Sequence, residues 1–162
     1  MKRLRPGGQL TQGSVKMIDF RLRTADRRIG GLNMGLCPGK VRGNETHDSI
    51  YITELAFSFL EPTIRRHSVG YARSYSHWGI TEISRPEWCS IIQDWEILKT
   101  NIGAAGTVHE FARVCSMSKG LEDEFEEAFE VNKSGLLDMV NELMNWLRLM
   151  LIAHDQVSVV GI

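Results

Sequence analysis

Cysteine, proline and long apolar runs are all scarce in this sequence. Its 162 residues include three cysteines and four prolines. The cysteines are odd in number and too widely spaced for a disulfide scaffold, so we expect a reducing, cytoplasmic location. No apolar stretch of about 7 to 15 residues follows the basic start, so we predict no secretory signal. The longest apolar run, residues 149–153, is far shorter than the roughly 20 residues that span a bilayer, and we expect no membrane partner.

Motifs for metal binding and catalysis are also missing. None of the five histidines belongs to an HxxxH or HExxH pattern. Residues 35–40 contain the glycines and lysine of a phosphate-binding loop, but Val41 stands where that loop needs Ser or Thr. Cys89 and His77 could form a nucleophilic pair only if the fold brought them together. We therefore predict no metal site, no cofactor and no catalytic residue, and an enzyme using Cys89 or His77 is the weakest functional hypothesis.

Charge is distributed very unevenly along the chain. Residues 1–43 contain ten Lys or Arg against two Asp, a net charge of +8, whereas residues 44–162 carry −9. Eight of the fifteen glycines also lie before residue 44, with few large apolar residues between them. Such a segment can bury little surface. We therefore predict a basic, glycine-rich arm over residues 1–43 that is flexible or only partly ordered, followed by one acidic globular domain over residues 44–162.

Three interpretations of the arm remain open. Its basic side chains could bind the phosphates of nucleic acid, with the contacts made by Arg21, Arg23, Arg27 and Arg28. Alternatively, residues 15–22 could form a short strand that pairs with the domain. In the third interpretation, the arm is an extension upstream of a functional start at Met17 or Met34.

The domain shows mostly helical patterns. Asp48 is a candidate N-cap for a first helix that extends to about Leu60. Residues 71–83 are rich in aromatic and β-branched side chains and favour a strand or short hairpin. Ser84 and Glu87 form a capping box with Pro86 in the first turn, which predicts a helix ending before residue 103.

The last third of the chain has three further predicted elements after a second capping box at residues 107–110. Residues 121–130 form a surface helix, and the apolar segment after Gly135 forms the central helix of the core. Residues 157–162 alternate as a β-strand does. We predict a predominantly helical α+β fold, with helices packed around the C-terminal helix and a small β element at about residues 71–83 and 157–162.

The predicted surface helix is unusually acidic. Carboxylates at this density create a field that attracts basic partners, and they can occupy a site built for phosphate. The alternative is that they only keep a surface helix soluble. We predict that the partner-binding residues are Glu122, Asp123, Glu124, Glu126, Glu127 and Glu130.

A family resemblance is carried by the segment that joins the predicted strand to the capped helix. Its residues are Tyr75, Ser76, Gly79, Ile80, Thr81, Glu82, Ile83, Ser84, Glu87 and Trp88, with Ile92 and Trp95. This segment resembles small bacterial immunity proteins of toxin–immunity systems, including those of contact-dependent growth inhibition. The resemblance implies tight one-to-one binding to a cognate toxin domain in the cytoplasm of the producing cell, blocking its active site or an adjacent surface.

Two functional hypotheses follow. The first is an immunity or inhibitor protein that binds a cognate, basic toxin domain through the acidic residues. The alternative is a nucleic-acid-associated regulatory protein that binds through the basic arm.

Overall fold

The computed structural model of the chain describes residues 17–28, 30–41, 48–74, 79–115 and 117–161. Its five-stranded sheet has the spatial order β1-β3-β2-β5-β4, and every neighbouring pair of strands is antiparallel. The strands are β1 (Arg23–Thr24), β2 (Asn33–Pro38), β3 (Ile50–Thr53), β4 (Ile80–Ser84) and β5 (Gln156–Gly161).

Seven α-helices and one short 3-10 helix, Ala25–Arg27, complete the described structure. The fold is therefore a predominantly helical α+β fold, as the sequence predicted. The helices are α1 (Glu54–Ser58), α2 (Glu61–His67), α3 (Val69–Ser74), α4 (Arg85–Ala104), α5 (Val108–Val114), α6 (Lys119–Glu126) and α7 (Phe129–Ala153).

The centre of the sheet is β2, which lies inside the predicted arm. Met34 pairs with Ile52 of β3 on one side and with Gly161 of β5 on the other. All six residues of β2 are buried. Residues 33–38 of the predicted arm are therefore a buried part of the sheet, and they pair with strands that lie beyond the predicted boundary at residue 44. Residues 1–16 lie outside the described residues.

The edge of the sheet also differs from the prediction. Residues 17–22 form no strand, and pairing with β3 begins only at Arg23. Residues 50–53, predicted to start a helix capped by Asp48, instead form β3, because their alternating β-branched and aromatic side chains suit a buried strand. The cap of α1 is Thr53, whose hydroxyl accepts a hydrogen bond from the Ala56 N–H.

Both predicted capping boxes begin helices. The Glu87 carboxylate accepts a hydrogen bond of 2.8 Å from the Ser84 N–H at the start of α4. At α5, the Thr107 hydroxyl accepts from the Glu110 N–H, while the Glu110 carboxylate accepts from the Gly106 N–H at 2.8 Å. These local hydrogen bonds satisfy the donors that a helix N-terminus leaves unpaired.

Two predicted boundaries are corrected by the structure. The strand or short hairpin predicted over residues 71–83 is wrong for residues 71–74, which belong to α3 (Val69–Ser74), and β4 begins at Ile80. Residues 75–78 lie outside the described residues. The predicted surface helix of residues 121–130 is split, because α6 ends at Glu126 and α7 starts at Phe129 and continues through Gly135.

The core joins the sheet to α4 and α7, which pack against each other. Leu136, Val140, Leu143 and Leu147 of α7 are fully buried, as the central-helix prediction requires. Trp88 of α4 packs edge-on against Trp95 in the same helix, and its indole N–H donates to a carbonyl of β5 at 3.0 Å. Buried aromatic rings thus fix the long helix α4 against the sheet.

A pair of leucines tests whether β2 belongs to the core. Leu36 is 0% exposed, whereas Leu32, just before the strand, is 45% exposed. We expect Leu36→Ala to lower the free energy of unfolding by about 2 to 4 kcal/mol, and Leu32→Ala by less than about 1 kcal/mol. Urea unfolding of both variants measures the difference. Equally small losses would mean that residues 33–38 do not contribute to the folded core.

Candidate functional site

The predicted binding residues lie at the junction of α6 and α7. We call the six carboxylates, at positions 122, 123, 124, 126, 127 and 130, the acidic face. Asp123, Glu126, Glu127 and Glu130 are exposed, while Glu122 and Glu124 are half-buried. Because α6 ends at Glu126, the face extends over a helix, a turn and the first turn of α7.

An aromatic cluster holds α6 in place beneath this face. Phe125 is fully buried, and its ring stacks on Phe111 of α5 with centroids 4.3 Å apart. Phe59 and Phe129 lie within about 6 Å of the Phe125 centroid. The apolar side of α6 therefore faces the core, which leaves its carboxylates toward solvent.

Two lysines form ion pairs with the acidic face. Lys119 lies 3.5 Å from a carboxylate oxygen of Glu122 and 3.2 Å from one of Asp123. Lys133 lies 3.4 Å from Glu130, but its ammonium also donates to the carbonyl of Ala105. Glu126 and Glu127 pair with no cation among the described residues. The surface therefore keeps an excess of negative charge.

A groove continues from the acidic face along α7. It has a volume of about 460 Å³ and runs between residues 17–21 and the α7 residues Val131, Gly135, Asp138 and Glu142. These α7 positions recur at three- and four-residue spacing and so share one side of the helix. A second depression shares Val131, Gly135 and Asp138 with the groove and also includes Glu130 of the acidic face.

Two contacts fix the outer wall of this groove. The Ile18 N–H donates to the Asn132 side-chain oxygen at 3.1 Å, and the Asn132 amide group donates to the Phe125 carbonyl. Phe20 packs so closely on Gly135 that a Cβ at position 135 would lie 3.0 Å from its ring. Gly135, which we interpreted as a helix boundary, is instead the contact point for this segment.

The arginines predicted to bind nucleic acid have partners within the chain. Asp19 accepts hydrogen bonds from both Arg21 and Arg23, and Arg27 lies 4.0 Å from Asp26. Burial alone would raise the pKa of Asp19, but the hydrogen bonds from Arg21 and Arg23 outweigh it and lower the pKa to about 2. Carboxylates of the same chain therefore already balance part of the charge on these guanidinium groups.

The remaining sequence candidates come together in no catalytic arrangement within the described ranges. Cys89 is exposed on α4, while His77 lies outside the described residues. Burial raises the pKa of the Cys115 thiol to about 12, which keeps it protonated and unreactive. No group of three His, Cys, Asp or Glu side chains that could hold a metal ion occurs among the described residues.

No protein-family model, curated protein or solved structure matches this chain. In the part of the chain that the structure describes, no helix is both long enough and apolar enough to cross a bilayer.

The Asp19 carboxylate offers a test of how the groove wall is held. At about pH 7 we expect Asp19→Asn to lower the free energy of unfolding by about 2 kcal/mol, because the part-buried Arg23 loses its carboxylate partner. Since the folded-state pKa is below the ordinary value of 3.8, this contribution is complete above that value and is lost as the pH falls toward 2. Urea unfolding of wild type and variant at about pH 7 and pH 3 measures the change.

Asp26→Asn is the matched control for this experiment. The Asp26 carboxylate is 77% exposed, so its loss should leave the free energy of unfolding unchanged within the error of the measurement at either pH. If Asp19→Asn and Asp26→Asn cost the same at neutral pH, Asp19 does not hold the wall in place.

Proposed function

We propose that this chain is a protein-binding inhibitor of the immunity type, which neutralises a cognate bacterial toxin domain by one-to-one binding. The observation that carries the proposal is the acidic face, whose carboxylates outnumber the lysines that pair with them and which continues into a groove with further acidic side chains. The acidic face forms the main contact, and the toxin surface it covers is basic.

Electrostatics favours this kind of partner. A site that binds the phosphates of a nucleic acid is rich in Lys and Arg. A dense set of carboxylates speeds the encounter with such a site and can occupy the positions of the phosphates. A chain that occupies the phosphate site of the toxin excludes the toxin's substrate. The chain itself needs no catalytic group for this.

The folded chain also prepares this surface for binding. The stacking of Phe125 on Phe111 and the hydrogen bonds of Asn132 fix the backbone below the carboxylates, so little order must be gained when a partner binds. Glu126 and Glu127 have no ion pair within the described residues that binding would have to break. The exposed Met17 and Val131 at the groove add apolar surface beside the charges.

Affinity capture from lysate of the source cell tests the proposal. The full chain should retain one protein at equal stoichiometry after nuclease treatment. Expression of that protein alone should arrest growth, and coexpression with the chain should restore it. Retention of material that nuclease removes would instead support the nucleic-acid hypothesis and contradict this one.

Paired substitutions locate the contact. We expect Glu126→Gln with Glu127→Gln to weaken binding of the captured protein by at least about 10-fold at low salt, with a smaller loss at high salt. The control is Glu82→Gln with Asp155→Asn, which changes the net charge equally near β4, at the far side of the sheet from β1. Titration calorimetry should find the control within about two-fold of wild type. Equal losses of affinity in both pairs of substitutions would mean that the partner does not bind through Glu126 and Glu127.

A further inference from the structure

A second cavity, on a different part of the surface, has a chemistry unlike that of the acidic face. It lies between α2, α4 and α5 and has a volume of about 420 Å³. Its apolar lining includes Phe59, Leu98 and Val114, together with Ile97, which is 61% exposed. An exposed isoleucine beside an open apolar surface leaves room for the apolar body of a ligand.

The single carboxylate of this cavity is already neutralised by α2. One oxygen of Asp94 accepts hydrogen bonds from Arg66 and from the His67 Nε2, each at 2.8 Å. The hydrogen bond from His67 is the main reason that the pKa of Asp94 lies below its ordinary value, with the charge of Arg66 adding to it. Asp94 therefore stays ionised and serves to join α2 to α4.

Donors without partners line the rest of the cavity. Thr63 is only 7% exposed, and its hydroxyl forms no hydrogen bond with any of the described residues. The Asn101 side chain is likewise unbonded within the described ranges. Both groups can therefore donate to a ligand in the cavity, in exchange for the water that otherwise solvates them.

Arg113 adds a guanidinium at the wall formed by α5. Its Nη2 lies 3.2 Å from the His109 Nε2, which engages one of its five N–H donors. With Arg66 on the α2 side, the lining contains two guanidiniums and one carboxylate, a net charge of +1. Guanidinium groups favour carboxylate or phosphate oxygens because they can donate two parallel hydrogen bonds.

We propose that this cavity binds a small organic anion, in which a carboxylate or phosphate group is attached to an apolar body. The anionic oxygens accept hydrogen bonds from Arg113, Thr63 and Asn101. The apolar body lies on Leu98, Val114 and the exposed side of Ile97. This site is separate from the acidic face and does not depend on the function proposed for that face.

Benzoate and benzamide test the inference, because they have nearly the same shape but differ in charge. Amide chemical shifts of the full chain are followed by NMR as each compound is added. We expect benzoate to shift residues 63, 97–101 and 113–115, and to bind at least about five-fold more tightly than benzamide. Equal affinities, or shifts centred elsewhere, would overturn the proposal.

Two variants each remove one hydrogen-bonding group from the cavity. Arg113→Gln and Thr63→Val should each weaken benzoate binding by at least about three-fold while benzamide binding changes less. Arg27→Gln removes the same charge at a side chain that is 80% exposed and outside the cavity, and it should leave benzoate binding unchanged. An equal effect of Arg27→Gln and Arg113→Gln would mean that net charge alone attracts benzoate, which contradicts a built site.

Discussion

The pairing of β2 between β3 and β5 is the constraint on which the rest of the structure depends. On one side β2 pairs with β3, and on the other it pairs with β5, for example Leu36 with Val159. The Trp88 indole then donates to the carbonyl of Val157 in β5, which ties α4 to the same strand. Without β2, β5 would lose its partner on one side, and β3 would have no connection to the sheet.

The position of the acidic face follows from this arrangement through α7. The helix begins beside the aromatic cluster and ends three residues before β5, so it connects the acidic junction to the sheet. Lys133 strengthens the connection by donating to the Ala105 carbonyl after α4. The junction that carries the charges is therefore packed against the folded core, and a partner would meet a surface that is already ordered.

Local chemistry explains which elements the sequence could predict. The start of α4 depends on Ser84 and Glu87, three positions apart, so its hydrogen bonds can be inferred from spacing alone. The strand β2 carries glycine and proline and has no β-branched residue, and it becomes a strand because partners far along the chain pair with it. Its burial is a tertiary effect that neither propensity nor charge distribution predicts.

The same distinction applies to the candidate sites. The carboxylates of the acidic face lie close together in sequence, so their density could be recognised before the fold was known. The groove beside them requires Ile18 to meet Asn132, which is 114 positions away, and the cavity around Asp94 requires three helices to converge. The ligands proposed for the acidic face and for this cavity carry opposite charges, so neither surface suits the ligand proposed for the other.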